Sequence, residues 1–290
     1  MRADFRCLIC YLIQSARVFN TYIRSSEERW KRLQDIMSDL SKLNWGLKPM
    51  EIAEYVYPRI SRILQKYDPF AEIKERSNAI AENILEKIEK EIRSSADPLY
   101  DAAKLAIAGN LIDLGNPNWD EERVFDKIID ILEKPFGIDD FEEFKEDLRK
   151  ASSILYIVDN AGEIVFDRFF MEIARDYNPS MVVTVAAREE PIINDATVED
   201  VLSIGMDKVA GVISSGMRIP GTVVDKATDD FRRAFFESDI VISKGQGNFE
   251  GLIDEKRDIY FMLTVKCDVV ADFLKTTVGT LIFMKKRVNT

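Results

Sequence analysis

The chain of 290 residues contains no histidine. That absence excludes Ser-His-Asp and Cys-His nucleophile machinery, His-ligated zinc and any imidazole proton shuttle. Chemistry here must run on carboxylates, lysine, thiols, hydroxyls, amides or a bound ion. Cysteine is scarce too: Cys7, Cys10 and Cys267 are the whole set, too few for a disulfide framework. Cys7 and Cys10 form one CxxC, and Cys267 still leaves a four-ligand zinc site one short, so all three read as small apolar side chains. Positive charge is under-represented, with 40 Lys and Arg against 51 Asp and Glu and a net charge of −11. An acidic balance argues against broad affinity for nucleic acid or an anionic membrane, although the local field of a cleft can still receive a phosphorylated small molecule. No apolar run approaches the ~18 residues of a membrane-spanning helix. The opening MRADFRCLIC lacks a signal-peptide layout, so the expected compartment is the cytoplasm.

What is present is a soluble, globular composition, 46% hydrophobic and 31% charged, with ample material for a core. The two halves of the chain read differently. Residues 1–150 carry helix period throughout: Ile80, Ile84, Leu85, Ile88 and Ile92 recur at three- and four-residue steps with Glu and Lys between them. Asp68-Pro69 and Asp97-Pro98 each place a capping carboxylate before a proline suited to the first helical position. Asn44-Trp45-Gly46, Gly115-Asn116-Pro117 and Pro135-Phe136-Gly137 read as turns. We therefore expect an all-helical N-terminal region, residues 1–150, packing on a core and contributing to its cleft.

After Lys150 short apolar runs at 154–158, 181–187, 209–213, 240–243, 260–265 and 281–284 alternate with helical patterns at 164–177, 197–206, 225–237, 249–255 and 269–274. Continuous β-branched runs separated by helices indicate a mostly parallel sheet covered on both faces, a doubly wound α/β core over residues 151–290.

Ligands in open α/β sheets bind outside the carboxyl ends of the strands, and here those ends are unusually polar. The first run ends in Asp159-Asn160-Ala161-Gly162-Glu163 and the second leads through Arg188 to Asn194-Asp195-Ala196-Thr197. The third ends in Ser214-Ser215-Gly216, and the fourth in Lys244-Gly245-Gln246-Gly247-Asn248. Asp159, Asn160 and Asp195 offer oxygen ligands alone, a set suited to Mg²⁺ or Mn²⁺. The competing reading is that Asp159 or Asp195 merely caps the helix that follows; four polar clusters at successive strand ends exceed what capping needs. Lys244, before Gly-x-Gly, can meet a phosphate as a point charge while the amides of Gly245 and Gly247 approach the anion. Arg188 is a further candidate phosphate clamp, and Ser214 a candidate substrate contact on the same rim. Asn110 and Asp113 share a helix face, and spacing alone favours a structural role for the pair.

Taken in order, these segments resemble the metal-dependent damage-control phosphatase family, formerly catalogued as domain of unknown function eighty-nine. The resemblance rests on Cys7-Leu8-Ile9-Cys10, Asp68-Pro69-Phe70, Ala106 through Asp113 (AIAGNLID), Asp159 through Glu163 (DNAGE), Asn194 through Thr197 (NDAT) and Lys244 through Glu250 (KGQGNFE). It spans nearly the whole chain and looks like the short microbial form. The resemblance implies a helical region against a Rossmann-like core and a divalent metal, Mg²⁺, Mn²⁺, Co²⁺ or Ni²⁺, held by Asp159, Asn160 and Asp195. It also implies a phosphate contact from Lys244 and a cleft-facing Gly109-Asn110, which overrides the structural reading of Asn110.

The expected activity is hydrolysis of phosphomonoesters of small metabolites such as sugar phosphates or phosphopantetheine-like compounds. Attack would come from metal-bound water or from Asp159 through an aspartyl-phosphate, and the leaving alkoxide would take its proton from a carboxylic acid, Glu163 being one candidate, or from a metal-bound water. Two other classes are carried beside it. A phosphometabolite-binding protein would saturate without releasing phosphate. A carboxyl methyltransferase would need a methyl-donor loop after the first core strand, where none of the usual form occurs.

Overall fold

The computed structural model describes residues 1–44, 46–112 and 121–288, with the side chains of 121 and 123 left aside. Trp45, Asp113 and the Gly115-Asn116-Pro117 turn expected from the sequence lie outside the described residues. The helices are α1 (Phe5–Tyr22), α2 (Ser26–Leu40), α3 (Pro49–Leu64), α4 (Ala71–Arg93), α5 (Pro98–Ala108), α6 (Glu121–Leu132), α7 (Phe141–Lys150), α8 (Glu163–Tyr177), α9 (Val198–Ser203), α10 (Asp229–Glu237), α11 (Gly245–Leu252) and α12 (Asp268–Leu274). The strands are β1 (Ile138–Asp139), β2 (Ser153–Ile157), β3 (Val182–Ala187), β4 (Gly211–Ser214), β5 (Ile240–Lys244), β6 (Ile259–Thr264) and β7 (Leu281–Lys286). They form one sheet in the order β1-β7-β6-β5-β2-β3-β4, parallel except where β7 runs antiparallel to β6.

Every apolar run read from the sequence after Lys150 is a strand of this sheet, within two residues at the ends. Among the described residues up to Lys150 the regular elements are helical but for β1, whose two residues pair with β7 at the edge. The adjoining Gly137 N–H donates to Leu281 O and the Asp140 N–H to Phe283 O, both at 2.8 Å. Two residues are too few to show an alternation, which is why this strand left no mark on the sequence pattern.

Strand residues alternate between two apolar layers, as the pleat requires. Ile154, Tyr156 and Val158 face one layer with the buried sides of α4, α5, α7 and α8. Leu155 and Ile157 face the other with Phe231 and Phe235 of α10, Phe249 of α11 and Val270 of α12. This two-sided burial explains the continuous apolar runs: neither face of β2 meets water. A third cluster joins α1, α2 and α3 and reaches Ile192 in the β3–α9 connection. It seats those helices over the carboxyl ends of the strands. Among the described residues no helix is long and apolar enough to cross a membrane.

The two Asp-Pro steps behave differently. Asp97 caps α5, accepting from Tyr100 N–H at 3.2 Å with Pro98 in the first turn. Asp68 instead accepts from Phe70 N–H at 2.8 Å and pairs with buried Lys74 at 2.7 Å, and α4 starts only at Ala71. Lys74 also binds Asp200 at 2.6 Å, tying the start of α4 to α9, so Asp68 serves a tertiary ion pair rather than a cap.

Candidate active site at the carboxyl ends of the strands

β2 ends at the centre of the sheet, and the chain leaves it through Asp159 and Asn160 toward α8. The β3–α9 connection returns alongside. Ala196 N–H donates to Asp159 O at 2.7 Å and Ala161 N–H to Asn194 O at 2.9 Å, around an antiparallel bridge between Asn160 and Asp195. Asp159, Asn160 and Asp195 thus project from one backbone knot, each buried to within 7% exposure. Neither aspartate caps a helix. Gly162 holds the N-cap position of α8, and α9 has a capping box of Thr197 with Asp200. The capping interpretation is thereby removed, and both carboxylates are left for another purpose.

Arg188, directly after β3, is 1% exposed. Its Nε donates to Asp195 Oδ2 at 2.8 Å, Nη1 to Thr222 Oγ1 at 3.1 Å and Nη2 to Asn248 Oδ1 at 3.0 Å, with Asp159 Oδ1 3.6 Å from Nη2. The Arg188 guanidinium faces two buried carboxylates and the Lys266 charge also reaches them, yet together they do not offset the burial of the pair. Burial pushes the Asp159 carboxyl up to about 7, with the charges of Asp195 and Glu163 adding to it. Burial also raises Asp195, although Arg188 pulls it back. Such a pair gains from a cation. Asn160 Oδ1 and Asp195 Oδ1 accept no hydrogen bond from any described residue, and both side chains line an open cleft. Two carboxylates and an amide oxygen are a hard-oxygen donor set compatible with Mg²⁺ or Mn²⁺. Among the described residues no group of three or more Asp, Glu or Cys side chains is placed to hold a metal, so a site here depends on the Asn160 amide as its third donor.

The cleft has a volume of about 980 Å³. The Asp159–Asp195 cluster and Asn110 form its floor, α1 and α3 supply Tyr11 and Tyr57, and Gly247, Glu250 and Lys266 also line it. Asn110 arrives here because Gly109 packs tightly on α8: a Cβ at Gly109 would lie 2.8 Å from Phe166 Cδ2 and 3.0 Å from Glu163 Cα. Asn110 Oδ1 stands 3.4 Å from Asn160 Nδ2.

Of the residues nominated from sequence, Asp159, Asn160, Asp195, Asn110 and Gly247 share the cleft lining. Three others lie beneath the floor. Lys244 is wholly buried, donating to Ala106 O at 2.8 Å, Glu163 Oε1 at 2.8 Å and Asp167 Oδ1 at 2.5 Å. Burial lowers its pKa, but the charges of Asp167 and Glu163 outweigh this and hold it above the ordinary lysine value. Glu163 is 2% exposed and Arg188 1%. As placed, Lys244 and Arg188 address carboxylates, where sequence reading aimed them at a phosphate. Gly245 packs its backbone against the Asp159 carboxylate. Ser214 ends β4 but donates to Glu189 and is not in the cleft lining.

Lys266 is the functional candidate that strand-end reasoning passed over. It follows β6, is exposed and lines the cleft; its backbone N–H donates to Gln246 Oε1 at 2.9 Å, and its charge acts on Asp159, Asp195 and Glu250. The signal was available: Val265-Lys266-Cys267-Asp268 is a fifth polar cluster at a strand end. Cys7, Cys10 and Cys267 are all free thiols and all line this same cleft, which no spacing along the chain reveals. Burial raises the Cys7 thiol to about 11.

The family model for the damage-control phosphatase ARMT1-like domain matches residues 3–282. The chain is 34% identical to a damage-control phosphatase of Pyrococcus horikoshii over 290 residues, 99% of each protein. It is 33% identical to a damage-control phosphatase of Archaeoglobus fulgidus over 246 residues, 82% of this chain and 84% of the relative. The crystal structure of a DUF89 family protein from P. horikoshii superposes with a TM-score of 0.90 at 34% identity, covering 99% of this chain and all of that one.

Proposed function

Because the chain belongs to the damage-control phosphatase ARMT1-like family, we propose that it hydrolyses phosphomonoesters of small metabolites with the help of a divalent cation held by Asp159, Asn160 and Asp195. One observation carries the reading: two buried, under-compensated carboxylates and an amide meet at the carboxyl end of the central strands, and an exposed lysine lines the same cleft. The cation, when bound, neutralises phosphoryl charge and polarises the phosphorus.

The chain's own residues supply the rest. Lys266, exposed in the cleft, binds phosphoryl oxygens and stabilises charge that builds on them. The Gly247 backbone and the Asn110 amide border the same space and orient the ester. Arg188 holds the Asp195 carboxylate in place by its Nε bond, so that ligand loses no rotamer freedom when the site is used. Phosphoryl transfer rewards positioning and charge neutralisation above covalent chemistry, so a site without histidine suffices for it. The cleft's volume leaves room beyond a phosphate for an organic leaving group, as sugar phosphates and phosphopantetheine-like esters would require.

The test is release of inorganic phosphate from p-nitrophenyl phosphate and a panel of phosphometabolites, each with Mg²⁺, Mn²⁺, Co²⁺ and Ni²⁺. We expect many turnovers with at least one metal and loss of activity in folded Asp159→Ala and Asp195→Ala. Stoichiometric binding with no phosphate release would identify a binding protein instead. Wild-type activity in both variants would refute the site.

A further inference from the structure

A buried ammonium that touches no part of the cleft needs a purpose. Lys244 Nζ has three acceptors, Ala106 O, Glu163 Oε1 and Asp167 Oδ1, and no surface. With Glu163 Oε1 engaged by Lys244, Oε2 is left to accept from Asn160 Nδ2 at 3.1 Å. The same Nδ2 donates to Asp159 Oδ2 at 2.8 Å. An amide has a donor end and an acceptor end. A longer contact from the same Nδ2 reaches Asn110 Oδ1 at 3.4 Å. Turned over, Asn160 would set its oxygen against two carboxylate oxygens and the Asn110 amide oxygen and lose all three bonds, leaving the carboxylate acceptors unpaired in a buried place.

We infer that Lys244 is a positioning residue: acting through Glu163, it locks the Asn160 amide so that Oδ1 is presented to the cleft as a cation ligand. The inference rests on the cation-site reading above. It assigns a different purpose to the lysine that the sequence directs at a phosphate. Asp167, whose Oδ1 also accepts from Tyr156 at 2.7 Å, anchors the far side of the ammonium. The chain of contacts therefore runs from Tyr156 and Asp167 through Lys244 and Glu163 to the amide. Partners one contact away from a metal ligand commonly change affinity about 10–100-fold when removed.

The measurement is Mn²⁺ binding to metal-free protein, followed by loss of the free-ion electron paramagnetic resonance signal and by calorimetry, with folding checked by circular dichroism. Glu163→Gln keeps the shape but can turn a donor toward Asn160. It should bind Mn²⁺ about 10–100-fold more weakly. In an Asn160→Asp background the ligand has oxygens at both ends and needs no orientation, so adding Glu163→Gln, which there also removes a repulsion between carboxylates, should no longer weaken binding. Lys244→Met combined with Asp167→Asn, which avoids leaving both carboxylates without the ammonium, should also weaken binding at least about tenfold. Binding by Glu163→Gln or by Lys244→Met/Asp167→Asn within about twofold of wild type would overturn the inference. So would an undiminished Glu163→Gln loss in the Asn160→Asp background. Wild-type protein that binds no Mn²⁺, or binding untouched by Asp195→Ala, would refute the cation-site reading itself and this inference with it.

Discussion

Gly245 and Asp159 share a space that admits no side chain: a Cβ on Gly245 would lie 1.9 Å from Asp159 Oδ2 and 2.3 Å from its Cγ. Gly245 also has φ +77°, a conformation L side chains rarely adopt. The start of α11 can therefore press directly on the carboxylate and hold it.

Gly245→Ala must displace that carboxylate or the helix start. A displacement near 1 Å at a reacting centre costs about 10²-fold in rate, and the backbone conformation adds a stability loss on the order of 1 kcal/mol. Steady-state kinetics and thermal unfolding should show both. A variant with wild-type kcat would remove Asp159 from the mechanism.

Arg188→Met leaves Asp159 and Asp195 buried without their guanidinium. Breaking a buried pair from one side costs about 3–5 kcal/mol. The loss should read out in urea denaturation at neutral pH. Adding Asp195→Asn should restore part of it, because one of the stranded charges is then gone. A purely additive double variant would show that the two side chains act independently.

The two strand-end lysines should separate cleanly. Lys266→Met, at an exposed side chain, should lower kcat/KM by about 10²–10³-fold and shift stability by no more than about 0.5 kcal/mol. Lys244→Met should do the reverse in emphasis, with marked destabilisation because Glu163 and Asp167 lose a shared buried partner. If Lys266→Met kept full activity, the phosphate contact would have to be sought elsewhere.

Glu250 provides a pH test away from the proposed ligands. Burial lifts its carboxyl to about 7, against the Gln246 hydrogen bond and the Lys266 charge. Its folded pKa lies above the ordinary 4.5, so the folded state retains a proton that the unfolded chain loses first. The group costs nothing below about pH 4.5 and its penalty grows as pH rises to about 7, reaching on the order of 3 kcal/mol. Glu250→Gln should therefore gain stability relative to wild type across pH 4.5–7 and hold a constant difference above about pH 8. Parallel denaturation curves at all pH values would refute the assignment.

Much of this molecule was legible in the amino-acid order because its determinants are local or periodic. Runs such as 154–158 and 240–243 are apolar on both faces of a strand, and they announce a covered parallel sheet whatever packs on them. Asp159, Asn160 and Asp195 were legible as a cluster because strand ends in such sheets fall on one rim. β1 was not, since two residues carry no period, and the pairing of Asp68 with Lys74 was not, since it serves α9 from a distance.

The sequence alone determined what chemistry is available: no histidine, an oxygen-only donor set, lysines and glycines after apolar strands, and the alternation that builds the sheet. Only the tertiary structure decided which of these groups meet the cleft. Lys244 and Lys266 both stand at the ends of strands and look equivalent on paper, yet one is sealed beneath the floor and the other lies open. The reason is depth. Whether a polar side chain at a strand end is satisfied internally or left for a ligand depends on acceptors supplied from elsewhere in the chain, as Ala106 O and Glu163 supply them to Lys244. Those partners are brought by packing, and no pattern along the chain records them.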